Sequence, residues 1–119
     1  MNKNTTLIQL DQDLLDDYVQ SLGLEVINKM LVLYRQQVAI YLVEIEKALQ
    51  SNNEKLWQEH CHKMKGAAGS VGLKSLHAKL ALMEKTSADI TEKAQQLAEL
   101  KDHNQQALVH FTVWLKKYN

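Results

Sequence analysis

Not one proline interrupts the 119-residue chain, and its four glycines are confined to position 23 and the stretch from 66 to 72. Proline removes a helical hydrogen bond and clashes with the preceding turn, so its absence leaves long helices unbroken. Leucine, alanine, glutamine, lysine and glutamate, all good helix formers, are abundant. An all-α fold follows before any periodicity is considered.

Periodicity divides the chain into helices. Asp11 is placed to cap a short helix carrying Leu14, Leu15, Tyr18 and Val19, ending near Ser21 to Gly23. A long helix over about 24–50 repeats Ile27, Met30, Leu31, Tyr34, Val38, Tyr41, Leu42, Ile45, Ala48 and Leu49 at three- and four-residue spacing. Asn52 or Asn53 can cap a third helix from Glu54, and a fourth runs from about Leu73–Ser75 to Ser87 with Leu73, Leu76, Leu80 and Met83 inward. A last helix over about 91–117 places Ala94, Leu97, Ala98, Leu100, Ala107, Leu108, Phe111 and Leu115 on one stripe. Short connections favour antiparallel neighbours. The expected fold is an all-α, antiparallel four-helix bundle, with the short additional N-terminal helix packed across one end. One domain spans 1–119, with about 1–10 as a polar arm.

Fourteen basic and fourteen acidic residues balance, which argues against general nucleic-acid binding or attraction to anionic membranes. The single Cys61 allows no internal disulfide, and no apolar run resembles a signal peptide or membrane span. A cytoplasmic protein is expected. There is no glycine-rich phosphate loop of the Walker or kinase pattern, so an enzyme acting alone is disfavoured.

Chemistry concentrates between His60 and Gly72. Glycine inside a helix costs about 0.5–1 kcal/mol relative to alanine, so repeated glycines beside histidines call for bare backbone. On a wheel of about 100° per residue, Trp57, Cys61, Met64, Ala68 and Val71 form the buried stripe. His62, Gly66 and Gly69 fall on the opposite face, with Lys65 and Gln58 toward its edge, whereas His60 leans on the core. Two residues apart on a helix, His60 and His62 point away from each other and do not make a metal pair. No metal site and no cofactor is expected. An exposed imidazole, with a reference pKa near 6.5, is largely neutral at pH 7 and is a ready nucleophile. Lys65, one turn on, can meet negative charge arriving at the ring, and the glycines clear space for another protein. The pattern suits a histidine that accepts a phosphoryl group.

The run His62-Lys63-Met64-Lys65-Gly66-Ala67-Ala68-Gly69-Ser70-Val71-Gly72 resembles the histidine-containing phosphotransfer (HPt) motif, H-x-x-K-G followed by small residues and a further glycine. Lys65 to Leu73 is especially similar to the phosphotransfer domains of ArcB-type anaerobic sensor kinases. The resemblance implies a phosphocarrier rather than an enzyme. His62 would take a phosphoryl group from a receiver-domain aspartate on its outer ring nitrogen and pass it to another receiver in a two-component phosphorelay. Magnesium and the remaining catalytic groups would belong to the receiver. Response-regulator receivers and a hybrid sensor kinase are the implied partners, and the carrier is expected to be a free-standing monomer. Glu84 stands where many members place glutamine or glutamate against the inner ring nitrogen, and Gln58, Gly66 and Gly69 are expected on the docking face. Between Lys55 and Lys85 six lysines stand against Glu59 and Glu84, an excess that would favour the acidic face of a receiver. The competing expectation is a helical interaction module that uses no phosphate.

Overall fold

In the computed structural model of the protein, residues 10–118 are described. The expected N-terminal arm, apart from Leu10, lies outside them. Among these residues five helices follow one another: α1 (Gln12–Leu22), α2 (Leu24–Gln50), α3 (Glu54–Ser70), α4 (Lys74–Lys85) and α5 (Ile90–Lys116). Three begin on a side-chain cap: Asp11 accepts from Leu14 N–H at 3.2 Å, Asn53 from Leu56 N–H at 3.0 Å, and Asp89 from Glu92 N–H at 2.9 Å. Each such cap is worth about 1 kcal/mol.

α2, α3, α4 and α5 pack in a ring, each against the next and α5 back onto α2. Their shared core includes Ile27, Ile45, Trp57, Met64, Leu76, Leu80, Leu100 and Phe111, all at most 1% exposed. α1 closes the end where α3 turns into α4. Asp11 N–H donates to Gly72 C=O at 2.8 Å, Tyr18 Oη donates to Ser70 C=O at 3.0 Å, and Leu15 is fully buried. Gly72 has a φ of +76°, and a Cβ there would come within 2.9 Å of Leu15. The turn therefore needs glycine for its backbone and for its neighbour alike.

The inward stripe of α5 differs from the sequence expectation. Ala94 and Ala98 are exposed, while Lys93 and Asn104 are buried. Lys93 lays its stem inward and sets its ammonium 5.4 Å from the centroid of the Trp57 ring. Asn104 accepts from Tyr34 Oη at 2.7 Å, a buried bond that ties α5 to α2 and offsets the cost of a polar side chain in the core.

Between α4 and α5, Ser75 Oγ lies 3.1 Å from His103 Nε2. Burial, reinforced by the charge of Lys79 and opposed by Asp102, lowers the His103 pKa. The folded protein thus takes up this proton at lower pH than the unfolded chain. Stability from this group is full above about pH 6.5 and declines as the pH falls below it. The melting temperature is expected to drop between pH 7 and 5.5, and His103→Gln should flatten that slope in thermal melts followed by circular dichroism.

Candidate functional site

α3 presents its two histidines differently because Trp57, Cys61, Met64 and Ala68, all buried, hold its register. The His62 side chain is 66% exposed; that of His60 is only 14% exposed, with Nε2 4.0 Å from Glu44 Oε2 on α2. Cys61 is fully buried, and burial pushes its thiol up to about 12, so it is not a nucleophile at neutral pH.

Glu84 comes from α4, one residue past the buried Met83. Both its carboxylate oxygens lie 3.2 Å from His62 Nδ1, and Oε1 also lies 2.8 Å from Lys65 Nζ. The carboxylate thus bridges the ring and the lysine. Lys65 and Glu84 are each about one-fifth exposed. The Lys65 hydrogen bond above all, with a smaller contribution from His62, holds the Glu84 carboxyl below its ordinary range against the opposing effect of burial. A carboxylate at Nδ1 is an acceptor only, so the ring donates there and keeps its proton on that nitrogen. The lone pair of Nε2 is left for chemistry.

Gly66 is exposed and a Cβ on it would meet nothing within 4 Å, so the backbone beside His62 is open. Gln58, one turn before His62, is exposed as well. Gly69 differs from the expectation of a cleared lane. A Cβ there would lie 2.9 Å from Cδ2 of His77, so the space is occupied by a side chain of this same chain. The lysines also distribute unevenly: Lys65 is engaged by Glu84, and Lys79 reaches Glu99 on α5 at 3.8 Å. Lys55, Lys63, Lys74 and Lys85 remain exposed, a smaller positive field than the linear count suggests.

His77 escaped sequence reasoning. The signal was available once Glu84 was set opposite His62: α3 and α4 run antiparallel, so seven residues forward on one and seven back on the other pairs Gly69 with His77. Among the described residues no group of three or more His, Cys, Asp or Glu could hold a metal ion, and no helix is long and apolar enough to cross a membrane.

The sequence profile of the Hpt domain matches residues 29–109, more than half of the chain. The chain belongs to the Hpt domain family. This Hpt domain is 36% identical over 67 residues to the aerobic respiration control sensor protein ArcB of Escherichia coli strain K12, and equally to ArcB of Shigella flexneri. The aligned segment is 56% of this chain and only 9% of each relative, so the match spans less than a tenth of those proteins. A solved structure, the histidine-containing phosphotransfer domain of ArcB from Escherichia coli, superposes with a TM-score of 0.84 and 26% identity, covering 99% of this chain and 100% of that one. Motif, bundle and relatives agree on a phosphotransfer module of two-component signalling, a carrier rather than an enzyme.

Proposed function

We propose that this Hpt domain takes a phosphoryl group from the aspartate of one receiver domain onto His62 and delivers it to the aspartate of another. The Nε2 lone pair attacks phosphorus, the Nε2–P bond forms, and the P–O bond to the aspartyl carboxylate breaks with its electron pair leaving on oxygen. Nδ1 keeps its proton. The positive charge that develops on the ring faces Glu84, which lowers the cost of the step. Delivery is the reverse, with a receiver carboxylate attacking and the electron pair returning to the ring. Lys65 is close enough on the helix surface to meet phosphoryl oxygens once they arrive.

The carrier contributes the nucleophile and its orientation. The receiver contributes magnesium and the remaining catalytic groups. An ArcB-like hybrid sensor kinase is the upstream partner in this reading, a response regulator the downstream one, and the carrier works as a cytoplasmic monomer. Gln58, Gly66 and Gly69 lie on the docking face. The observation that carries the reading is the exposed His62 whose inner nitrogen is held by a carboxylate.

A relay assay tests it. A receiver charged with labelled phosphate is mixed with a second, uncharged receiver, and label should reach the second only when this protein is present. Label that stays on the first receiver would favour an interaction module that uses no phosphate.

A further inference from the structure

The phosphotransfer reading leaves the imidazole of His77 unexplained. Its ring lies over the backbone of Gly69, where an ideal Cβ would be 2.9 Å from Cδ2 and 3.6 Å from Nε2. Any larger residue at 69 would displace the ring. His77 is nevertheless exposed, so its seat on Gly69 holds a polar side chain in place without removing it from water. Fixing a side chain on an open surface costs rotamer entropy, and the contact gains no deep burial in return.

Its location is specific. His77 on α4 lies seven residues before Glu84, and Gly69 on α3 seven after His62. The two imidazoles therefore stand along the same α3–α4 seam, about 10 Å apart along the helix axes at 1.5 Å per residue. The floor between them is low. Gly66 has no side chain, Ala81 is small and half-buried, and Lys65 is folded back onto Glu84. The exposed Lys63 follows His62 on α3, and the exposed Lys74 stands one turn before His77 on α4.

We infer that His77, seated on Gly69, is a positioning residue that contacts the acidic face around a receiver's aspartate and aligns it over His62. This rests on the reading of His62 as the phosphoryl acceptor. A receiver that reaches Nε2 of His62 must cover the adjoining floor, and His77 is the polar group standing at its far end. An imidazole there can donate an N–H to a receiver carboxylate or carbonyl oxygen. The contact sets encounter and register, while the reacting atoms stay at His62.

The test compares two phosphoryl donors. Phosphoramidate, a small molecule that needs no protein docking, reports the reactivity of His62 itself. A receiver charged on its aspartate reports docking and chemistry together. In His77→Ala the ratio of receiver-driven to phosphoramidate-driven loading should fall about fivefold to tenfold, the size of one good interface contact. The loss should lie in KM for the receiver, with kcat within about twofold. Gly69→Ala should give the same loss by displacing the ring, and the double variant should be no worse than either single one. An unchanged ratio in His77→Ala overturns the inference, as does an equal fall in both rates, which would place His77 in the geometry of His62. Wild-type protein that takes label from phosphoramidate but never from any receiver tested contradicts the relay reading itself, and this inference with it.

Discussion

Glu84→Ala is expected to slow loading of His62 about 10- to 100-fold, the scale of loss when a carboxylate that orients a metal-bound imidazole is removed. Three effects combine. The ring loses the acceptor that keeps its proton on Nδ1, so part of the population carries it on Nε2 and is blocked. The imidazolium character that grows as phosphorus bonds to Nε2 loses its counter-charge. Lys65, now held 2.8 Å from Glu84, is released. Glu84→Gln separates these contributions. An amide oxygen still accepts from Nδ1, but the negative charge is gone, and a loss below about tenfold is expected. Single-turnover loading from phosphoramidate measures both variants without any docking contribution. Equal losses in the two would assign the whole effect to charge. Because Lys65 holds the Glu84 carboxyl below its ordinary range, the carboxylate stays charged at neutral pH.

Trp57→Ala is expected to remove about 3–5 kcal/mol of stability, a large share of the roughly 5–15 kcal/mol available to a domain of this size. The indole is 1% exposed, and its Nε1–H donates to Met83 C=O at 2.9 Å. That bond fixes the end of α4 one residue before Glu84, so the same side chain that fills the core also sets the height of the carboxylate. Trp57→Phe keeps most of the volume and loses the donor, at about 1–2 kcal/mol. Urea denaturation gives both values. If Trp57→Phe also slows phosphoramidate loading, the Met83 anchor is a positioning element for the site as well as a stabilising one.

Local rules made most of this fold legible. With no proline, and with Asp11 and Asn53 standing before two of the apolar runs, the five described helices begin and end within about two residues of where caps and periodicity place them. The same periodicity separated His62 from His60, because one buried stripe on α3 fixes where every other residue points. Relations between helices were harder to read. Lys93 and Asn104 are polar by type yet buried, since a lysine stem can lie on an indole and an asparagine can answer a tyrosine seventy residues away. Gly69 looked like room for a partner because its neighbour His77 sits on another helix. Family resemblance put Glu84 at the ring, and the geometry then added its second bond, to Lys65. A helical wheel contains no information about which of two facing helices supplies the side chain that fills a gap.

The central claim is that a single nitrogen, on His62 and not on His60, carries the phosphoryl group. The direct measurement exposes wild-type protein, His60→Gln and His62→Gln to one receiver charged with labelled phosphate. The transferred label is then assayed for acid lability and base stability. Acid-labile, base-stable label on the wild type and His60→Gln, and none on His62→Gln, is the predicted result. Label retained by His62→Gln would contradict it.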